Sequence, residues 1–165
     1  MSLSLYDISV PPFIKQLKSL QKILNKAQAH VENDESKLIH AKLVDDMGDL
    51  IFQIQRISDT AKGFAVRVGG VENVVLVDDE TDFAGLHTRI NRTISILESL
   101  PSNCTDGKET AEIVMKIPSG DLKFSGKEYV LEAAIPNFYF HVVAAYAILR
   151  KEGVPVGKYD YLGKN

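Results

Sequence analysis

Apolar positions Phe13, Leu17, Leu20, Leu24, Ala27 and Val31 recur at alternating spacings of four and three. That is the seam of a bundle helix, and Lys15, Lys18, Lys22 and Lys26 fall on its other faces. Pro11 and Pro12 suit its first turn, and Asn33, Asp34 and Glu35 end it. A short helical connector is predicted within DESKLIHAKL, with His40 as a surface or packing residue. A second long helix runs from an N-cap at Asp45 or Asp46 to Gly69 and Gly70, with Leu50, Ile54, Ile57, Ala61, Phe64 and Val68 as its apolar stripe. Gln53 lies about 60° from the centre of that stripe and Thr60 a little further round. Asp59 projects opposite it and is expected to be solvated or to face a neighbour. VENVVLVDDE reads as an extended segment or loop. Thr81 or Asp79 then caps a third helix with the face Phe83, Leu86, Ile90, Ile94 and Leu97, closed by Pro101 and bordered by His87.

The pattern then changes. Glu112 to Ile117 alternates with period two, Pro118 to Asp121 turns, and Leu122 to Phe124 resumes, which predicts a β-hairpin that must lean on the helices. Ser125 followed by Glu128 is a capping box and opens a fourth helix, ended by Gly153 and Pro155. This helix is apolar on nearly every side, so it calls for cover all round, from its own chain or from a second subunit. Val130, Ala134, Phe138, His141, Ala145 and Ile148 share one stripe, and Asn137 borders it. Pro136 interrupts the helix at a cost of roughly 3 kcal/mol in a regular geometry. Either it only bends the helix to fit, or it opens a free carbonyl near Asn137 and His141 in a polar-lined interior suited to a ligand. The tail from Val154 to Gly163 is expected to fold its tyrosines back onto the helices.

Composition narrows the classes of function. The 165 residues carry a formal net charge of −3, with 45% hydrophobic and 25% charged residues, ordinary for one soluble domain. No basic face is available for nucleic acid, and the cations are too scattered for a membrane-surface helix. No apolar run reaches the ~18 residues of a spanning helix, and no leader pattern opens the sequence. The lone Cys104 excludes an internal disulfide and fits a reducing compartment. A cytoplasmic location is the expectation. The two N-x-T sequons at Asn91 and Asn103 are read as chance.

No established catalytic signature is present. The four histidines lie on four separate segments, so no tight transition-metal site is expected. Cys104 stands in a polar loop with no neighbouring base. His141 is the strongest candidate for chemistry. Desolvation lowers the pKa of an imidazole among apolar residues and leaves a neutral proton acceptor. Asn137, one turn earlier, could orient a substrate carbonyl or the ring, and Gln53 could face them. Phe138, Tyr139, Tyr146, Thr60 and His87 are candidate substrate-binding residues, although the angular offset of the two tyrosines points at another interface. The competing reading makes His141 a core histidine bonded to a carbonyl or a tyrosine, and His87 a core-edge residue satisfied by a neighbour.

Four stretches, SLYDISVPPFIKQL, ISDTAKG, DDETDFAGL and PNFYFHVVAAYAILRKEGVPVGKYDYLG, together resemble a family known only as a domain of unknown function. That family is similar to the DinB/YfiT-like metalloenzymes, and the resemblance implies their four-helix bundle, often a homodimer. It further implies three metal-ligand positions, two at an HxxxH on the last helix and one on helix two. Through the shared GVP these fall on Asn137 and His141, and counting from the helix-two cap suggests Gln53. One histidine of three would survive.

The expectation is therefore an all-α protein: a DinB/YfiT-like four-helix bundle over residues 1–165, with a small β-hairpin between helices three and four. Its function is read as binding a small molecule and carrying out metal-independent acid–base chemistry of isomerase or lyase type. His141 would be the base, with Asn137 and Gln53 as partners, and no metal or cofactor is expected. The alternatives are a non-catalytic module, homodimeric through its fourth helix, and a residual metal-dependent transferase of the DinB type.

Overall fold

The computed structural model describes residues 3–31 and 34–164; Asn33, expected at the end of the first helix, lies outside them. The chain is mostly helical, with one small antiparallel sheet. Helix α1 (Val10–His30) begins with its prolines in the first turn, where no intrahelical N–H is lost. Phe13, Leu17, Leu20, Leu24 and Ala27 are fully buried. The Phe13 ring stacks on Phe138 at 4.2 Å and meets Phe64 edge-on at 6.0 Å, so one aromatic cluster joins three helices. The predicted connector contains the single-turn α2 (Ser36–Ile39). Helices α3 (Leu50–Arg67) and α4 (Phe83–Glu98) follow, their predicted stripes buried.

Both predicted caps are corrected. The N-cap of α3 is Asp49, which accepts from the Phe52 N–H at 2.9 Å, and not Asp45 or Asp46. That of α4 is Asp82, which accepts from the Gly85 N–H at 2.7 Å, and not Thr81 or Asp79. Asp49 and Asp82 have extended backbones and directly precede the first buried residue of their stripes. A cap needs that position, three residues before the N–H it receives.

Strands β1 (Glu112–Ile117) and β2 (Gly120–Ser125) pair antiparallel, with Glu112 opposite Ser125 and Ile117 opposite Gly120. Gly120 takes a φ of +128°, which a side chain would disfavour. The hairpin leans on the core through Ile113 and through Phe124, whose ring meets Tyr129 at 6.1 Å. Beyond it the last long helical stretch has three parts. The capping box of Ser125 and Glu128 starts α5 (Gly126–Glu128), a π-helical segment follows (Tyr129–Ala134), and α6 (Ile135–Lys151) completes it. The Ile135 N–H bonds to the Val130 carbonyl, five residues back. Pro136 thus falls in the first turn of α6, where its missing N–H is tolerated.

Helix α3 packs between α4 and α6, and α1 closes against both. The cover of α6 is incomplete: Phe140 is 57% and Val143 49% exposed. A last turn, α7 (Lys158–Tyr161), packs on α1 and holds Asp160 2.6 Å from Lys26. Of the tail tyrosines Tyr161 packs, its ring 6.0 Å from that of Tyr146, while Tyr159 stays exposed.

Candidate functional site

The packing of α6 on α3 brings Gln53 and His141 into direct contact. His141 Nδ1 lies 2.7 Å from Gln53 Oε1. Gln53, itself buried, donates its Nε2 to the Gly48 carbonyl at 2.9 Å, which turns Oε1 toward the histidine. An amide oxygen only accepts, so His141 carries its proton on Nδ1 and donates it. The lone pair of the neutral ring is then on Nε2. Burial, and secondarily the nearby Arg56 charge, hold the imidazole below the usual histidine range. The rings of Phe52 and Phe140 flank it at 6.2 and 5.1 Å.

One turn earlier Asn137 bonds elsewhere. Its Nδ2 donates to Thr60 Oγ1 at 2.7 Å, and that hydroxyl donates to the Arg56 carbonyl at 2.7 Å. Among the described residues none bonds to the exposed Asn137 Oδ1, which is left to solvent or to a ligand. Two parallel rungs join α3 to α6, Gln53 with His141 and Thr60 with Asn137. The second rung borders a cavity of about 630 Å³ between α3, the π-helical segment and β1. His141 does not line this cavity; Phe140, beside it, does.

The cavity wall includes residues that the sequence pattern did not single out. Arg56, Arg67 and Tyr129 supply polar groups, and Met115, Ala133 and Pro136 supply apolar wall. Arg67 Nη1 donates to the Tyr129 hydroxyl at 3.1 Å, and its guanidinium lies 5.7 Å from the centre of that ring. Burial pushes the Tyr129 phenol up against the opposing pull of Arg67, so it keeps its proton at neutral pH. A signal was available in Gly63, a glycine inside a helix with no turn to make.

Four other candidates fall away from these rungs. Phe138 is fully buried and stacks on Phe13, which makes it core. Tyr139 faces a hollow beside Pro12, Gln16 and Tyr161, and Tyr146 pairs with Tyr161, because their offset round α6 turns them toward α1 and α7. His87 lies on α4 and lines neither the 630 Å³ cavity nor a hollow beside Leu43, Met47 and Phe140; among the described residues its buried Nε2 has no hydrogen-bond partner, and burial lowers its pKa. Burial raises the Cys104 pKa, the reverse of an activated thiol.

Asp59 corrects a further expectation, since it does not simply face solvent. It pairs with Arg56 and with Arg89, each at 2.9 Å. The Arg89 side chain is 1% exposed and also meets Asp78 at 2.9 Å, Glu80 at 2.8 Å and the Val77 carbonyl at 3.2 Å. Burial is the largest influence on its pKa and acts downward, but Glu80, Asp59 and Asp78 together outweigh it and raise the pKa. The loop before α4 is thereby pinned to α3.

Residues 5–162 match the family described as a domain of unknown function (DUF1993). The chain belongs to that family. A crystal structure of a DinB family member protein from Shewanella denitrificans is similar to it, with a TM-score of 0.88. The two are 39% identical over 96% of this chain and 92% of that one. A search of curated proteins finds no match. The family's fold here is thus DinB-like and helical.

The three implied ligand positions hold one imidazole and two carboxamides. Carboxamide oxygens are poor ligands for the transition metals that imidazole favours. Gln53 Oε1, the atom that would face a metal, is already engaged by His141. Among the described residues no three His, Cys, Asp or Glu side chains converge on one point. The donor set does not fit a tight transition-metal site. No helix of the described residues is long and apolar enough to cross a membrane.

Proposed function

We propose that this chain is a single-domain four-helix bundle that binds a small organic molecule in the cavity bordered by Thr60 and Asn137, without a metal. The observation that carries this is the cavity itself, about 630 Å³ against a π-helical turn. Its size is that of small-molecule sites, and π-turns are frequent at functional positions. Phe140 lines the cavity and packs on His141, so a ligand that displaces this exposed ring meets the neutral His141 as the acid–base group of an isomerase- or lyase-type reaction. Its Nε2 is available because Gln53 holds Nδ1–H. Asn137 Oδ1 contributes an acceptor on the cavity side.

The test is protein-observed NMR with a library of small organic compounds. Hits are expected to shift the amides of Thr60, Ala133 and Asn137, with and without a chelator, and Ala133→Trp is expected to abolish them while the fold persists. Hits that map elsewhere, or that vanish with the chelator, would overturn the reading. For a compound that is turned over, His141→Ala is expected to stop turnover and leave binding at the cavity intact.

A second reading is favoured by the exposure of Phe140 and Val143 beside a hollow of about 510 Å³ formed with Leu43, Met47 and Ala144. In that reading the chain is a homodimeric module whose α6 faces pack on each other. It acts by binding alone.

A further inference from the structure

The charges around the cavity are unequal in how they are answered. Arg56 is paired with Asp59 at 2.9 Å and Asp78 at 2.8 Å. Lys116 and Glu132 also line the cavity, one charge of each sign. Arg67 differs. Among the described residues no carboxylate pairs with it, and the Tyr129 hydroxyl is its hydrogen-bond partner. That hydroxyl accepts from Arg67, so its own proton is free to be donated, and Tyr129 lines the cavity at the start of the π-helical segment.

Two sequence choices disfavour regular helix and together make this arrangement. Gly63 stands in the interior of α3, where glycine costs about 1 kcal/mol relative to alanine. A β-carbon there would collide with Arg67 Nη1 and would touch the Tyr129 hydroxyl at 3.5 Å. The absent side chain is the space in which the guanidinium lies. The π-helical turn in turn presents Tyr129, Ala133 and Ala134 to the same cavity. Met115, Ile117, Pro136 and Phe140 give it apolar walls.

Resting on the cavity as the ligand site, we propose that its ligand is a small organic carboxylate with an apolar body, its carboxylate seated between the Arg67 guanidinium and the Tyr129 hydroxyl. A guanidinium fork and one hydroxyl donate to the two oxygens of a carboxylate. The charged residues that line the cavity are Arg56, Arg67 and Lys116 against Asp59 and Glu132, a surplus of one positive charge that one carboxylate matches, whereas a phosphate dianion would bring a second negative charge beyond that surplus. The apolar body lies against Met115, Pro136 and Phe140, and the Arg67 contact orders the two ends of the ligand along the cavity.

The experiment is calorimetric and NMR titration of the full chain with hexanoate and benzoate, and with their neutral amides. Both carboxylates are expected to shift Ala133 and Asn137, and the amides to bind about tenfold more weakly, the worth of a charge-assisted hydrogen bond. Arg67→Gln is expected to erase that difference, and Tyr129→Phe to reduce it severalfold. Gly63→Ala is expected to raise or hold the melting temperature while weakening the carboxylates alone, a pairing that a purely structural role for Arg67 would not produce. Carboxylates and amides binding equally, before and after Arg67→Gln, would overturn the carboxylate assignment and leave the cavity reading intact. If no probe shifts the cavity residues up to millimolar concentration, both readings fall.

Discussion

At the scale of single residues, the imidazole of His141 is set by two partners that act on different properties. Gln53 chooses the tautomer and burial chooses the charge state. Its pKa is depressed on folding, so the unfolded chain holds more protons in the interval between the folded value and the ordinary 6.5. The stability it contributes is therefore complete above that ordinary value and is lost as the pH falls toward the lowered one. His87 is depressed by burial too and adds a slope of the same sign. Urea unfolding across this interval should show stability falling with acid, and His141→Gln should flatten part of the slope. Gln53→Glu should raise the His141 pKa by placing an anion on Nδ1, which an NMR titration of the ring would read. Arg89 offers the strongest stability effect of a single side chain. Arg89→Met leaves Asp59, Asp78 and Glu80 crowded without their shared cation, and should cost about 3 kcal/mol in urea unfolding. Adding Glu80→Gln should recover part of that loss.

At the scale of elements, the last helical stretch decides where the candidate groups point. A π-helical segment holds one residue more than the α-helix it replaces, so it resets the angular register of everything beyond it. Deleting the exposed Glu132 should return the segment to an α-helix. Tyr129 and Val130 would then rotate about 100° relative to α6, and Pro136 would regain its clash with the preceding turn. A loss of about 3 kcal/mol is expected, together with loss of the Gln53 to His141 hydrogen bond. Melting curves and the His141 ring signals would report the two effects separately. The stripes of α1, α3 and α4 were legible in the sequence because burial on one face imposes a 3.6-residue period on the apolar residues. The π-segment was not. Its extra residue leaves no mark in a stretch that is apolar on nearly every side.

At the scale of the whole molecule, the exposed side of α6 is the feature that a single chain leaves open. If the homodimeric reading holds, Val143→Asp should turn a sedimenting dimer into a monomer and leave the melting of the monomer nearly unchanged, because Val143 is half-exposed. Sedimentation as a monomer before the substitution would sink that reading. The same view of the molecule explains which candidates were misplaced. Tyr139, Tyr146 and Phe138 lie within a turn or two of His141 along the chain, yet packing sends them to α1 and α7. Arg67 and Tyr129, 62 residues apart, meet instead.

By itself the sequence determined the helical stripes, the hairpin, the capping box at Ser125 and the place of His141 on the inward stripe of the last helix, because each rests on local spacing and on the tendency of apolar groups to leave water. Pairings across α3 and α6, the true caps at Asp49 and Asp82, the π-helical turn and the unanswered charge of Arg67 were decided only in the folded chain. They depend on which faces meet and in what register, and spacing along one element carries no information about the element opposite.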